Sequence, residues 1–206
     1  IYELPYNATG MIEIHIKAQR PLRLYIMFDE ILSDGNRVDY LRGGCCNAAI
    51  FDLPAGERRL RFFEVYTCKY IQAAVCGGDA DIELSMIEYK HPPLKHVPTF
   101  DDPAIRRIAD AAVETFRQGS VDLFMDCPSR ERAGWLCDSF FSGRTEYLLC
   151  GETSVEHDFL ENFLCEETYV NLPDGMLPMC YPADHTPHSF IPNWAMWLFL
   201  ELREYL

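Results

Sequence analysis

The N-terminal part of the chain alternates between apolar and polar positions. Isoleucines at positions 12, 14 and 16 are separated by Glu13 and His15. The same period of two recurs at Leu22, Leu24, Ile26 and Phe28, and again at Ile82, Leu84 and Met86. This period is typical of strands with one buried face, and turn-forming clusters at 33–36, 54–56 and 77–79 separate the segments. The pattern predicts an N-terminal antiparallel β-sandwich.

A proline-rich segment, residues 91–100, ends this alternation. It contains three prolines, which neither continue a helix interior nor donate to a strand ladder. The apolar period changes after it from two to that of a helix. We therefore predict a multidomain β + α chain with a β-sandwich over 1–90, a linker over 91–100 and a helical domain over 101–206.

The helical part begins with a clear start signal. Asp101 or Asp102 is predicted to cap the first helix, with Pro103 in its first turn and Gly119 at its end. Its apolar stripe consists of Ile105, Ile108, Ala109, Ala112, Val113 and Phe116. Further helices are predicted near 137–150, 154–167 and 189–206.

The predicted helices carry apolar faces that need partners. The helix near 154–167, opened by Thr153 or Ser154, is an example. Its apolar face consists of Phe159, Leu160, Phe163 and Leu164. We expect an incomplete helical domain whose remaining helices lie in further sequence, and a compact four-helix domain is the alternative.

Composition excludes some classes of partner. The 206 residues include 18 Lys and Arg against 32 Asp and Glu, a formal net charge of −14. Binding to a phosphate backbone needs clustered basic residues, so we expect no nucleic-acid partner. The most apolar stretch, 194–200, is far shorter than the roughly 20 residues of a membrane span. We therefore expect no membrane partner, and we predict no cofactor.

Cysteine and histidine usage bears on redox chemistry and metals. The chain has nine cysteines and no Cys-x-x-Cys pair, which is typical of buried thiols rather than of a disulfide framework or a zinc site. This usage favours a reducing compartment without excluding export. His185 and His188 have a spacing of three, but Pro187 disfavours a regular helix between them. We predict no metal site.

The segment from Asp126 to Asp138, DCPSRERAGWLCD, carries the candidate chemistry. It contains three carboxylates, two arginines and one tryptophan, interrupted by Pro and Gly. Carboxylates accept hydrogen bonds from sugar hydroxyls, arginines donate them, and an indole packs on the apolar face of a sugar ring. The residue types alone leave two interpretations open, a sugar site or a solvated turn with helix caps.

This segment resembles the signature of glycoside hydrolase family 78, the bacterial α-L-rhamnosidases. The family pattern is Asp-Cys-Pro-x-Arg-acid-Arg-x-Gly-Trp-x-x-Asp. The chain departs from it at Ser129, where the family often has Gln, at Ala133, and at Leu136-Cys137, where it often has Thr-Gly. Downstream, residues 191–194 (Ile-Pro-Asn-Trp) resemble the family's Ile-Pro-Asp-Trp. The resemblance covers roughly residues 101–206.

The resemblance implies an inverting hydrolase of terminal α-L-rhamnosides, with residues 101–206 forming the first helices of an (α/α)6 barrel. Glu131 would be the general acid. The residues that would bind the carbohydrate substrate are Asp126, Arg130, Arg132, Trp135, Asp138 and Trp194. Trp135 and Trp194 would form walls against the ring and its methyl group.

The same resemblance places the general base beyond Leu206, so the chain alone is predicted to be inactive. Two alternatives stay open: a hydrolase of the same fold with another sugar specificity, and a carbohydrate-binding or structural fragment without turnover. A periplasmic or extracellular location would suit the family, and the cysteines also allow a cytoplasmic one.

Overall fold

The structure is a computed structural model that describes residues 1–33, 36–164, 172–173, 175–182 and 190–206. The chain separates into two compact units. The first consists of Ile1–Tyr89 with Pro128–Arg130, and the second consists of Lys90–Cys127 with Glu131–Leu206.

The first unit is built from antiparallel strands. They are β1 (Tyr2–Ala18), β2 (Leu22–Asp29), β3 (Leu32–Ser33), β4 (Arg37–Val38), β5 (Ala48–Leu53), β6 (Gly56–Arg61), β7 (Tyr66–Cys76) and β8 (Ala80–Glu88). Six of them form one sheet in the order β5-β2-β7-β1-β6, with β8 also paired to β1, while β3 and β4 pair with each other. Part of the predicted turn at 33–36 lies outside the described residues.

Strand β1 changes partners at Gly10. Its first part pairs with β7, and the part from Gly10 to Ala18 pairs with β8. At the change a side chain on Gly10 would collide with the backbone carbonyl of Ile87. Glycine therefore allows the backbones of β1 and β8 to approach closely at this point. The approach lies where β1 ends its pairing with β7 and begins its pairing with β8.

The predicted alternation is confirmed in the core of the first unit. The isoleucines at 12, 14 and 16 are at most 1% exposed, whereas the intervening Glu13 and His15 are more accessible. Phe28 packs edge-on against Tyr66 and Phe62, with ring centroids 4.7 and 5.9 Å apart. The N-terminal region is thus rich in antiparallel sheet, as the period of two predicts.

The second unit contains the helices α1 (Pro103–Gly119), α2 (Asp138–Cys150), α3 (Ser154–Phe163) and α4 (Pro192–Tyr205). Strands followed by helices are the order that the sequence predicts. Of the two candidate caps of α1, Asp102 fills the role, since its Oδ1 accepts hydrogen bonds from the backbone N–H groups of Ala104 and Ile105 at 2.7 and 3.3 Å. Residues 165–167 and 189, predicted as helix, lie outside the described residues.

Much of the apolar helix surface in the second unit is exposed. On α1, the predicted stripe leaves Ile105 47% and Ile108 70% exposed. Leu148 on α2 and Met196 and Phe199 on α4 are each at least 65% exposed. The described helices therefore present apolar faces that they do not cover for one another. None of these described helices is long and apolar enough to cross a membrane.

Candidate active site

The segment 126–138 forms a closed loop before α2. The backbone N–H of Asp126 donates to the carbonyl of Ala133 at 3.1 Å, and the N–H of Ala133 donates back to Asp126 Oδ1 at 3.0 Å. Within the loop, the carbonyl of Cys127 accepts from the N–H of Arg132 at 3.2 Å, and its Sγ accepts from the N–H of Glu131 at the same distance. Cys127 thus shapes the turn that presents Glu131.

Glu131 and Trp135 are joined by their side chains. The indole Nε1–H of Trp135 donates to Oε2 of Glu131 at 2.9 Å. Glu131 is exposed on the second unit and Trp135 is partly buried. The indole therefore fixes one oxygen of the carboxyl group expected to act as the acid.

A second segment holds the backbone around Trp135. The N–H of Tyr181 donates to the carbonyl of Gly134, and the N–H of Leu136 donates to the carbonyl of Met179, both at 3.0 Å. These bonds form an antiparallel bridge between Trp135 and Cys180. A side chain on Gly134 would collide with the carbonyl oxygen of Tyr181, so this close approach requires glycine.

The carboxyl group of Asp138, at the first position of α2, has a raised pKa. Loss of solvation raises the pKa, and the negative charges of Asp126 and Glu131 act in the same direction. Hydrogen bonds from its own backbone and from Trp194 act in the opposite direction. The balance of these effects favours the neutral form of this carboxyl group.

The thiol of Cys180 has a raised pKa. Burial and the negative charges of Asp126 and Glu131 together raise this pKa to about 12. It is 3% exposed and stays protonated at neutral pH, so it acts as a packing group. The segment 179–181 was missed by the sequence analysis because it acts through its backbone, which leaves no residue signature.

The predicted site residues divide between the two units. Asp126, Glu131, Arg132, Trp135, Asp138 and Trp194 belong to the second unit. Arg132 has a positive φ of 52°, an uncommon conformation for a residue with a side chain. Arg130 is exposed and belongs to the first unit.

A groove on the first unit is lined by none of these residues. The groove has a volume of about 680 Å³, and Arg23 and Asp52 form paired hydrogen bonds of 2.6 and 2.8 Å there. His185 and His188 lie outside the described residues. Among the residues that are described, no group of three or more His, Cys, Asp or Glu could hold a metal ion, and eight cysteines have free thiols.

Comparison with known proteins gives a family and a fold. A rhamnosidase of glycoside hydrolase family 78 from Bacillus sp. GL1 matches with a TM-score of 0.75 and 22% identity, covering 98% of this chain and 21% of that one. A rhamnosidase from Klebsiella oxytoca matches with a TM-score of 0.71 and 19% identity, covering 99% of this chain and 43% of that one. At these identities the likeness establishes the fold. The chain spans about a fifth of the first protein and less than half of the second.

A comparison with curated proteins finds no match. The model of the bacterial alpha-L-rhamnosidase 6 hairpin glycosidase domain, however, matches residues 97–205, more than half of the 206-residue chain. The matched range contains both motifs, 126–138 and 191–194. The chain belongs to the bacterial α-L-rhamnosidase six-hairpin glycosidase family.

Proposed function

We propose that this chain is part of a glycoside hydrolase that cleaves terminal α-L-rhamnosides with inversion, and that Glu131 is its general acid. The observation that carries the proposal is the loop 126–138, in which the indole N–H of Trp135 donates to the carboxyl group of Glu131 at 2.9 Å. In the same loop the carboxyl group of Asp126 accepts from the backbone N–H of Ala133 at 3.0 Å. A cluster of carboxylates beside tryptophan side chains suits a sugar, whose hydroxyls donate hydrogen bonds and whose ring offers an apolar face.

The proposed reaction divides between an acid in this chain and a base outside it. Glu131 gives its proton to the glycosidic oxygen as the bond to the anomeric carbon breaks. A water molecule, deprotonated by the base, attacks that carbon from the opposite face, which requires roughly 6.5–9.5 Å between the two carboxyl groups. Asp126 and Asp138 accept hydrogen bonds from ring hydroxyls, while Arg130 or Arg132 donates.

The proposal also accounts for the exposed surfaces. We infer that the sheet forms a β-sandwich and that α1–α4 begin an (α/α)6 barrel. Helices from the rest of the protein would then cover Ile108, Leu148 and Phe199 and would enclose Glu131 in a cleft. Rhamnose is the favoured ligand because the Klebsiella oxytoca rhamnosidase has a structure with rhamnose bound.

The test uses the complete protein that carries this chain and an aryl α-L-rhamnoside. Glu131→Gln keeps the shape of the side chain and removes its proton, and kcat should fall by roughly 10²- to 10⁴-fold on a substrate whose leaving group needs protonation. Glu114→Gln, at a half-buried glutamate on α1 that pairs with Arg117 and accepts from Gln118, is the matched control. NMR of the first product anomer checks inversion. Full activity of Glu131→Gln would assign the acid to another residue.

The isolated chain is expected to show no turnover, because it offers an acid without the residue that activates water. Turnover by the chain that Glu131→Gln abolishes would place the base within these 206 residues. Titration of rhamnose into the inactive chain distinguishes a binding fragment from an inert one.

A second candidate function is hydrolysis of another sugar by the same fold. It is favoured by Ser129, which replaces a residue that is often Gln in the family. The departure at Leu136 has less effect on substrate specificity, because that side chain is completely buried. A panel of aryl glycosides on the complete protein separates the two functions.

A further inference from the structure

We propose that Trp135 is a positioning residue for the acid, in addition to any contact it makes with the sugar. The inference rests on the proposed role of Glu131. Its basis is the 2.9 Å hydrogen bond from the indole N–H of Trp135 to Oε2 of Glu131. A tryptophan that served only as an apolar wall would not need to direct its single polar atom at the acid.

Both ends of this hydrogen bond are held by the backbone. Glu131 is fixed by the donation of its N–H to Cys127 Sγ. Trp135 lies between Gly134 and Leu136. The backbone of each of these two neighbours forms a 3.0 Å hydrogen bond with the segment 179–181. The hydrogen bond is therefore set by the fold of the loop, and the carboxyl group loses rotational freedom before substrate binds.

The donor is suited to the step in which the proton leaves. As Glu131 transfers its proton to the leaving oxygen, negative charge grows on the carboxyl group. A hydrogen bond to a charged acceptor is stronger than one to a neutral acceptor, so the indole N–H stabilises the carboxyl group most in the transition state. Trp135 should therefore act on kcat more than on KM.

The kinetic test is Trp135→Phe in the complete protein, which keeps an aromatic ring and removes the N–H donor. We expect kcat to fall roughly 10- to 100-fold, the loss typical of a hydrogen bond to a charged group, with KM nearly unchanged. Trp197→Phe, on α4 and packed against Phe140, controls for the loss of an indole.

A wall role predicts a different pattern. If Trp135 contacts only the sugar, Trp135→Phe raises KM and leaves kcat intact. That result would overturn the inference.

A second measurement on this chain does not depend on turnover. The chain has three tryptophans, so replacing Trp194 and Trp197 by Phe leaves Trp135 as the sole indole. We expect the Nε1–H NMR resonance of Trp135 to move when Glu131→Ala removes the acceptor of its hydrogen bond, and to stay in place in Glu204→Ala, at an exposed position of α4. A resonance that does not move with Glu131→Ala would overturn the contact. Absence of hydrolysis by the unsubstituted complete protein, with the resonance shift intact, would instead defeat the proposed function.

Discussion

The hydroxyl of Ser139 donates a hydrogen bond of 2.6 Å to Oε2 of Glu201, and both residues are completely buried. Oε1 of Glu201 is buried without a hydrogen-bond partner among the described residues. On α3, Glu156 is buried with its carboxyl group against Gly143 of α2. Burial raises the pKa of Glu201 to about 7, and burial together with the negative charge of Glu146 raises the pKa of Glu156 to about 7. The helices thus pack around carboxyl groups that favour their neutral form.

The first prediction is that the helical unit loses stability as pH rises. The pKa of Glu201 is raised from 4.5 to about 7 on folding. Its stabilising contribution is therefore complete below about pH 4.5, declines as pH rises, and is gone once pH has passed about 7. A shift of this size corresponds to about 3 kcal/mol. Thermal unfolding followed by helical circular dichroism between pH 5 and pH 8 measures it.

The variant Glu201→Gln isolates the contribution of this carboxyl group to the pH dependence of stability. The amide oxygen of Gln can still accept from Ser139 but does not ionise, so the fall in melting temperature between pH 5 and pH 8 should become smaller. Glu204→Gln is the control, because that residue lies on the same helix in an exposed ion pair with Arg144. An unchanged pH dependence in Glu201→Gln would contradict the prediction.

The second prediction concerns a cap supplied from another helix. Glu146 on α2 is completely buried and accepts hydrogen bonds from the backbone N–H groups of Val155 and Glu156, both at 2.9 Å. Backbone N–H groups in the first turn of a helix have no acceptor within that helix, and Glu146 supplies the acceptor for two of them in α3. Glu146→Gln leaves one oxygen for the two donors, and we expect a loss of about 1–3 kcal/mol in the free energy of unfolding. Denaturation at pH 5, where Glu156 is protonated, measures the loss.

The control is Thr153→Ala. Thr153 precedes α3, but within the described chain its side chain makes no capping hydrogen bond. A residue that did cap would cost about 1 kcal/mol on replacement by alanine. We expect a much smaller change here, and a loss as large as that of Glu146→Gln would show that the cap has been misassigned.

The cap of α3 shows which parts of the fold the sequence predicts. At α1 the local signal is complete. Asp102 accepts the hydrogen bonds of the first turn and Pro103 occupies its first position, and both residues are adjacent in sequence to the helix. At α3 the local signal, Thr153 or Ser154, is present but the main acceptor is Glu146, from the preceding helix. Local patterns predict the helix start, whereas its hydrogen-bond partners depend on tertiary packing.

The candidate site divides in the same way. The motif predicts that Asp126, Glu131 and Asp138 act together, and of these the structure shows Asp126 bonded to Ala133 and Glu131 bonded to Trp135. The indole-to-carboxyl hydrogen bond of Trp135 and the backbone pairing with 179–181 leave no periodic pattern. Both depend on the three-dimensional course of the loop, which no sequence pattern encodes.

The third prediction tests the close approach at Gly134. An alanine there places its methyl group against the carbonyl of Tyr181 and 3.0 Å from Phe159 Cε2. The backbone pairing must open, and we expect a loss of about 1–3 kcal/mol, typical of overpacking, together with lower kcat in the complete protein. Gly119→Ala is the control, because its methyl group would meet Met125 at an ordinary 3.5 Å. Equal effects of the two variants would argue against the backbone pairing.

The fourth prediction concerns Cys137, the residue just before α2. Its φ and ψ of 80° and −56° are strained for a residue with a side chain. The family pattern often has glycine at this position. Relief of about 1–3 kcal/mol of strain exceeds the roughly 0.5–1 kcal/mol entropic cost of glycine, so Cys137→Gly should raise the melting temperature. Cys137→Ala removes the thiol but keeps Cβ, and it should bring no gain. If alanine stabilises as much as glycine, the thiol and not the backbone is the source of the effect.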